Sequence, residues 1–286
     1  MNLMQETKFM MDKYHITANK SLGQNFLVDE EVVNGIVEKS GVSRDDLVIE
    51  IGPGLGTLTS RLLEKAGFVV AIELDKRMIN IITERFSLYE NFEVMNEDVL
   101  KVDLSQLIRE KLDNYHLKSA KVVANLPYYI TTPIIMKLLE DRLNLESITV
   151  MVQKEVANRL AEKPGGKESG AITYSIYYYA EPKIVIDVPK TSFVPSPEVD
   201  SAVIKLSLLQ EPRVKVKSEK TLFKVIKAAF MQKRKTLLNG LYHAKILSSK
   251  EEILEMFEKL DIENNIRGEK LTLEEFAKIA DYIENT

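Results

Sequence analysis

The sequence predicts an α/β fold in which helices lie on both faces of a mostly parallel β-sheet, followed by a small all-helical C-terminal domain. Two observations support this prediction. Over the first two-thirds of the 286 residues, short β-rich runs alternate with stretches of helical periodicity, an order typical of parallel sheets. After about residue 208 the β-rich runs end and helical patterns follow. We therefore expect two domains, at 1–208 and 209–286.

The elements of the first domain can be predicted in chain order. Apolar residues at Val32, Val33, Ile36 and Val37 recur at helical spacing and predict a helix over 29–42. Five β-rich runs come next, and each leads into a helical stretch. Strands are predicted in DLVIEIG, FVVAIELD, FEVMNED, AKVVANLPYYI and SITVMVQ, and helices in TLTSRLLEKAG, KRMINIITERF, SQLIREKLDNY, TTPIIMKLLED and KEVANRLAE.

The end of the first domain has a different pattern. Residues 163–170 contain three glycines and predict a loop. The segments AITYSIYYYA, EPKIVIDV and SAVIKLSLL are β-rich or mixed, so we expect antiparallel strands to close the sheet. The stretch EPRVKVKSEK is interpreted as an irregular linker to the helical domain.

Composition excludes several classes of site. The chain has no cysteine, which excludes disulfide frameworks, thiolate zinc sites, iron–sulfur clusters and cysteine nucleophiles. No apolar run approaches the roughly 18 residues of a membrane span, and the N-terminal segment lacks the features of a secretory signal. We therefore expect a cytoplasmic protein.

The net charge of -4 conceals an uneven distribution of charge. From Arg213 to Lys245 there are ten lysines and arginines against one acidic residue, whereas residues 246–286 carry five basic and eleven acidic residues. A basic stretch of this kind either forms an ordinary solvated helix face or binds phosphates.

The strongest local motif is VIEIGPGLGTLT at 48–59, where a β-rich run ends in glycines and opens a helix. Gly52, Gly54 and Gly56 allow the backbone to turn sharply and to approach a ligand closely. A dinucleotide fingerprint would require a further glycine at position 57, which is Thr57. The pattern therefore disfavours a pyrophosphate and favours S-adenosylmethionine, which contains no phosphate.

Acidic residues follow the next two predicted strands. Glu73 is the candidate to hold the ribose hydroxyls, with Asp75 as the competing candidate, and Asp98 is the candidate partner of the adenine amino group. Because parallel strands end at one edge of a sheet, these side chains and the glycine loop are expected to lie together.

The tetrapeptide Asn125-Leu126-Pro127-Tyr128 ends the fourth predicted strand at the same edge. It is either a simple strand-to-helix turn or a catalytic turn for an adenine amine. In the second case, the Asn125 side-chain oxygen and the Leu126 carbonyl accept hydrogen bonds from the amine and free its lone pair. Pro127 then stiffens the turn, and Tyr128 stacks on the base. Deamination by a thiolate-held zinc is excluded because cysteine is absent.

Together the segments resemble the ribosomal RNA adenine N6-dimethyltransferase family, most closely its bacterial small-subunit (16S) branch. The resemblance covers nearly the whole chain. The segments that carry it are SLGQNFL (21–27), VIEIGPGLGTLT (48–59), VVANLPYYITTPI (122–134), FVPSPEVDSAV (193–203) and MQKRKTLLNGL (231–241).

This resemblance implies a Rossmann-like class I methyltransferase fold and a role for individual residues. Asn25 and Leu27 would close over the methionine end of the cofactor, with Gly52 at its floor. Asn125 would bind both the cofactor and the target amine. Phe193 would stack on the opposite face of the target adenine. The roles of Glu73 and Asp98 would be those given above.

The resemblance also implies a substrate, which would be two adjacent adenosines in a hairpin loop near the 3′ end of 16S rRNA in the 30S particle. The products would be N6,N6-dimethyladenosines and S-adenosylhomocysteine, with no metal, from a monomeric enzyme that contributes to small-subunit biogenesis. Given the resemblance, we expect part of the basic stretch to face rRNA phosphates, namely Lys224, Lys227, Lys233, Arg234 and Lys235.

Three alternatives stay open from the sequence. A large-subunit rRNA methyltransferase of the macrolide-resistance type shares the chemistry and differs in the RNA substrate. A non-catalytic RNA-binding assembly factor would have the fold without the activity. A small-molecule methyltransferase would leave the Asn125–Tyr128 turn and the basic stretch without a role.

Overall fold

The computed structural model describes residues 2–19, 23–232 and 235–286. The chain divides into two compact units. The first comprises Met1–Ala157 and Pro182–Leu208, and the second comprises Asn158–Glu181 and Leu209–Thr286.

A seven-stranded sheet forms the centre of the fold. The strands in the described residues are β1 (Phe26–Leu27), β2 (Asp46–Ile51), β3 (Phe68–Glu73), β4 (Phe92–Asn96), β5 (Ser119–Asn125), β6 (Ser147–Gln153), β7 (Ala180–Val188), β8 (Phe193–Val194) and β9 (Ser201–Leu208). The order in the sheet is β4-β3-β2-β5-β6-β9-β7. Strands β2 to β6 pair in parallel, and β9 runs antiparallel to β6. The predicted α/β fold and the antiparallel closure of the sheet are confirmed.

Helices connect the parallel strands. Those of the first unit are α1 (Leu3–Lys13), α2 (Glu30–Ser40), α3 (Thr57–Lys65), α4 (Lys76–Arg85), α5 (Leu104–Tyr115) and α6 (Thr131–Glu140), and α7 (Lys154–Ala161) crosses the division between the units. Every residue of β2 and β3 is buried, as expected for parallel strands covered on both faces. The predicted helix over 29–42 is α2, where the Asp29 side chain accepts a hydrogen bond from the Val32 N–H at 3.3 Å.

The strand order places the functional edge. From β2 the chain continues to β3 and β4 on one side, whereas β5 and β6 lie on the other side of β2. The order therefore reverses between β2 and β5, and in open α/β sheets ligands bind at such a point, beyond the carboxyl ends of the strands.

The second unit is helical. Its helices in the described residues are α8 (Ala171–Tyr179), α9 (Glu219–Phe230), α10 (Leu237–His243), α11 (Lys250–Lys259) and α12 (Leu273–Glu284). The segment AITYSIYYYA, predicted to be β-rich or mixed, is therefore mainly helix. Tyr174 explains the difference, because its ring packs on Phe230 and Phe276 with centroids 5.3 and 5.1 Å away. This packing outweighs the strand propensity of aromatic side chains.

The same packing changes the composition of the units. The first unit ends at Leu208, and residues 158–181, which lie within the predicted domain 1–208, belong to the second unit. The Tyr174 hydroxyl donates a hydrogen bond to the Leu271 carbonyl, which connects α8 to the start of α12. Among the described residues, no helix is long and apolar enough to cross a bilayer.

Candidate active site

A solvent-open cleft lies at the carboxyl ends of the parallel strands, within the first unit. It brings together almost all of the predicted cofactor and catalytic residues. Those that line it are Asn25, Leu27, Gly52, Gly54, Glu73, Asp98, Asn125, Leu126, Pro127 and Tyr128. The sequence-based expectation that the strand ends would bring these residues together agrees with this arrangement.

The glycine loop forms the floor of the cleft because its backbone adopts conformations that side chains disfavour. Gly54 and Gly56 have φ angles of 59° and 81°. A Cβ atom on Gly56 would lie 2.6 Å from the Phe86 ring, and one on Gly54 would lie 3.5 Å from the Phe26 ring. The loop thus packs tightly on Phe86 at Gly56, whereas Gly54 lines the cleft in ordinary van der Waals contact with Phe26.

Glu73 lies at the end of β3 and is held by backbone donors. Its side chain accepts hydrogen bonds from the Gly54 N–H at 3.2 Å and from the Asp75 N–H at 2.8 Å. It is only 7% exposed. Burial raises the pKa of this carboxyl, and the two backbone donors act in the opposite direction. Each carboxylate oxygen accepts one backbone donor and keeps acceptor capacity for a ligand.

The competing candidate for the ribose role, Asp75, is engaged elsewhere. Its side chain accepts hydrogen bonds from the Arg77 N–H and guanidinium, and thereby caps α4. The Arg77 guanidinium holds the pKa of Asp75 below its usual range. Asp75 also accepts a hydrogen bond from Gln24 Nε2 at 3.0 Å. The geometry therefore favours Glu73 as the residue that faces a ligand.

Asp98 lies two residues beyond the end of β4 and is half-buried at the cleft. One carboxylate oxygen accepts a hydrogen bond from the Leu100 N–H at 3.0 Å, which fixes the turn. Asn96, at the end of β4, donates hydrogen bonds to the Glu73 and Leu74 carbonyls. These bonds hold the ends of β3 and β4 together beside the ligand space.

The Asn125–Tyr128 turn forms the wall across from Glu73. The Leu126 N–H donates to the Met151 carbonyl at 3.2 Å, and the Pro127 carbonyl accepts from the Ile130 N–H at 3.2 Å. Asn125 Nδ2 lies 3.5 Å from the Asn25 carbonyl, so the amide group is directed toward that residue. The Tyr128 hydroxyl forms a 2.7 Å hydrogen bond with Ser201. The ring therefore lines the cleft with its hydroxyl anchored.

Residues Gly23–Leu27, here called the covering segment, lie over the cleft. The Asn25 side chain donates to the Gly23 carbonyl at 3.2 Å. Phe26 and Leu27 form β1, which pairs with β8 at Val194 and Phe193. The motif SLGQNFL begins at residues 21–22, which lie outside the described residues.

Phe193 is the one predicted catalytic residue that the structure does not bring into the cleft. Its side chain is 2% exposed and packs in the hydrophobic core that also contains Phe26 and Leu27. Its ring is enclosed by this core and does not line the cleft. Stacking on the target adenine stays a prediction from the resemblance.

Two cleft residues were missed from the sequence. Glu50 lines the cleft from β2 and is 1% exposed, and burial raises the pKa of its carboxyl to about 8. Its Oε2 atom has no hydrogen-bond partner among the described residues. The sequence signal for Glu50 was an acidic residue between two isoleucines, Ile49 and Ile51, in a predicted strand. Gln24 was missed because its partner, Asp75, is distant in the chain.

The predicted phosphate-binding residues belong to the second unit. Lys224 and Lys227 lie three residues apart on α9, and both are exposed, as is Lys235. Lys233 and Arg234 lie outside the described residues.

The electrostatics of the cleft favour a cationic ligand. Its described lining residues include no lysine, arginine or histidine, and include the carboxyl groups of Glu73, Glu97 and Asp98 besides Glu50, which burial keeps protonated at neutral pH. A phosphate would find no positive side chain there, whereas the sulfonium and ammonium groups of S-adenosylmethionine match the acidic lining. The residues present therefore fit this cofactor. No group of three His, Asp or Glu side chains among the described residues is arranged to hold a metal ion.

Similar proteins are known over nearly the whole length of the chain. The family model for Ribosomal RNA adenine dimethylase matches residues 15–285. Ribosomal RNA small subunit methyltransferase A of Lachnoclostridium phytofermentans is 50% identical over 282 residues, covering 98% of this chain and 96% of that protein.

Two solved structures share the fold. A dimethyladenosine transferase from Plasmodium falciparum superposes with a TM-score of 0.72 at 27% identity, covering 89% of this chain and 95% of that one. The 23S rRNA methyltransferase ErmE superposes with a TM-score of 0.66 at 23% identity, covering 91% of this chain and 100% of that one. The second likeness concerns the fold alone.

Proposed function

The chain belongs to the ribosomal RNA adenine dimethylase family, and from this premise we propose that it dimethylates N6 of two adjacent adenosines in small-subunit (16S) rRNA. The methyl donor is S-adenosylmethionine. The observation that carries the proposal is the Asn125–Tyr128 turn, which faces an acidic cleft free of basic lining residues in the part of the chain described. The adenosines would lie in a hairpin loop near the 3′ end, where bases can be unstacked at modest cost.

The first task of the protein is to hold the cofactor. Glu73 would accept hydrogen bonds from the ribose hydroxyls, and Asp98 from the adenine amino group. Gly52 and Gly54 would allow the backbone to approach the ligand. Asn25 and Leu27 would cover its methionine end. When bound, S-adenosylmethionine supplies a methyl group attached to a positively charged sulfur.

The second task is to prepare the target amine, whose lone pair is delocalised into the adenine ring. With Asn125 Nδ2 directed toward the Asn25 carbonyl, its Oδ1 atom would accept one amine hydrogen, and the Leu126 carbonyl would accept the other. Both interactions favour a pyramidal nitrogen. The Tyr128 ring would stack on the base, at about 1–3 kcal/mol. The proton lost after transfer is acidic enough to leave to solvent, so catalysis depends on positioning.

The second unit would contribute the RNA contacts. We propose that exposed Lys224, Lys227 and Lys235, with Lys233 and Arg234, face rRNA phosphates, which makes binding strongly salt-dependent. We further propose that the substrate is the 30S particle, that the enzyme acts as a monomer in the cytoplasm, and that it contributes to small-subunit biogenesis.

The relatives favour this function over the alternatives. The curated relative that covers nearly the whole chain is named for the small subunit. ErmE, a large-subunit rRNA methyltransferase, is similar at only 23% identity. A non-catalytic assembly factor would have no need for the acidic cleft and the turn together.

Labelled S-adenosylmethionine offered with unmodified small-subunit particles, and separately with large-subunit rRNA, tests the proposal. Digested nucleosides are then analysed by mass spectrometry. We expect label as dimethyladenosine on the small subunit, with two modified residues per particle. Label on large-subunit RNA alone would identify a resistance-type enzyme. Cofactor affinity without methylation of either substrate would contradict the proposed RNA target.

A further inference from the structure

Gln24 is fixed at both ends of its side-chain amide. Its Oε1 atom accepts a hydrogen bond from the Asn19 N–H at 2.9 Å, and its Nε2 atom donates to Asp75 Oδ2 at 3.0 Å. The Gln24 N–H also donates to the Asn19 carbonyl at 3.2 Å. These bonds give the side chain one orientation, in which it connects the covering segment to the residues that follow β3.

The acceptor, Asp75, is well suited to this connection. Ion pairing with Arg77 keeps its carboxylate charged, and hydrogen bonds to charged groups are stronger than neutral ones. Its backbone N–H donates to Glu73 Oε1 at 2.8 Å. One residue therefore orients the carboxylate proposed to hold the ribose and also holds the start of the covering segment.

The other end of the covering segment reaches the catalytic turn. The Asn25 carbonyl lies 3.5 Å from Asn125 Nδ2, and the Phe26 ring packs on the glycine loop at Gly54. The segment thus spans the cleft from the Glu73 side to the Asn125 side. Its attachment on the Glu73 side depends on Gln24.

We propose that Gln24 is a positioning residue, whose hydrogen bond to Asp75 holds Gly23–Leu27 over the cleft and so sets the affinity for the cofactor. In this scheme Gln24 acts on cofactor affinity through the covering segment, which its amide attaches to Asp75. The identity of the ligand rests on the proposed function, but the RNA substrate does not enter the inference.

Isothermal calorimetry with S-adenosylmethionine and the full chain, without RNA, tests the inference. Loss of a hydrogen bond to a charged acceptor predicts that Gln24→Ala raises the Kd about tenfold. At saturating cofactor, kcat on small-subunit particles should stay within about threefold of the wild type. A purely structural role would instead lower the thermal midpoint and leave the Kd unchanged, which would overturn the proposal.

A matched control and a rescue make the test specific. Gln106→Ala removes another glutamine-to-carboxylate hydrogen bond, to Glu110 on α5, and should leave the Kd unchanged. Gln24→Glu places a carboxylate against Asp75 and should weaken binding at least as much as Gln24→Ala. Adding Asp75→Asn to Gln24→Glu restores a donor between the two positions and should recover the affinity. If the double variant binds no better than Gln24→Glu, the hydrogen bond is not the cause.

These measurements separate the inference from the proposed function. Normal cofactor affinity in the wild type, with no methylation of small-subunit particles, would contradict the RNA assignment and leave the role of Gln24 intact. Unchanged affinity in Gln24→Ala, with normal methylation, would contradict the role of Gln24 alone.

Discussion

The two sides of the cleft are built differently. On the cofactor side (Gly52–Gly56, Glu73 and Asp98), backbone donors and tight packing fix each group, and Glu73 is 7% exposed. On the target side (Asn125–Tyr129), Asn125 Nδ2 lies 3.5 Å from its partner and Tyr129 is 56% exposed. The cofactor side is thus preorganised by the fold, whereas the target side depends on individual side chains. Substitutions on the cofactor side should therefore change cofactor affinity and stability. Substitutions on the target side should change the reaction rate.

The largest expected effect is on the target side. Asn125→Ala removes the side-chain oxygen that would accept from the target amine and should lower kcat by about 10³-fold, the upper range for removal of one polar group that stabilises a transition state. Cofactor affinity should change far less than kcat. Single-turnover methylation of small-subunit particles, with calorimetry for the cofactor, measures both.

The control for this variant is Asn91→Ala, which also removes side-chain amide hydrogen bonds, from Asn91 to the Leu63 and Ala66 carbonyls. It should leave kcat unchanged. Appreciable turnover by Asn125→Ala would remove Asn125 from the chemistry, and the contrast between the two sides would lose its main support.

The second effect concerns the stability of the cofactor side. Glu50 has a pKa of about 8, raised by burial from a usual value near 4.5, so the folded protein binds its proton more tightly than the unfolded chain does. The higher proton affinity of Glu50 in the folded state stabilises the protein fully below pH 4.5, and this contribution is lost as the pH rises toward 8. Glu50→Gln stays neutral at every pH. The unfolding free energy of Glu50→Gln, relative to that of the wild type, should therefore increase by about 3 kcal/mol between pH 5 and pH 8.

Thermal unfolding of both proteins across this pH range is the measurement. The difference in midpoint, Glu50→Gln minus wild type, should grow with pH by several degrees. Parallel curves would show that Glu50 is ionised in the folded protein, so that the cofactor side would carry a buried charge instead of a proton.

Much of this site was predictable because its residues sit at strand ends. Parallel strands share one edge, so Gly52, Glu73, Asp98 and Asn125 could be placed together from the order of the strands. The sequence left Glu73 and Asp75 as alternatives for the ribose role, and their partners differ in the structure. Asp75 caps α4 and pairs with Arg77, whereas Glu73 lines the cleft.

What the sequence could not provide are contacts between distant segments. The Gln24–Asp75 bond joins residues 51 positions apart, and nothing local to either residue signals it. The helix at Ala171–Tyr179 was grouped with β-rich segments because aromatic and β-branched residues favour strands, whereas packing on Phe230 and Phe276 decides its structure. Burial of Phe193 likewise follows from β-pairing with Leu27.

A third, smaller effect separates affinity from rate on the cofactor side. Glu73→Ala removes the acceptor for the ribose hydroxyls and should raise the cofactor Kd roughly 10- to 30-fold, with kcat at saturation within about threefold. Calorimetry and initial rates at saturating cofactor provide the two values. An unchanged Kd would transfer the ribose role to Asp75, despite its engagement with Arg77 and Gln24.

The smallest effect lies where the target side joins the sheet. Tyr128→Phe keeps the ring that would stack on the base and removes the hydrogen bond to Ser201. Ser201 is fully buried. We expect a loss of about 1 kcal/mol in unfolding free energy and a change in kcat below about threefold. Tyr174→Phe, which removes a buried hydroxyl of the second unit, should lower the midpoint similarly without affecting kcat. A large fall in kcat for Tyr128→Phe at an unchanged midpoint would show that the hydroxyl takes part in the reaction. The rate on the target side would then depend on the Tyr128 hydroxyl as well as on the Asn125 amide.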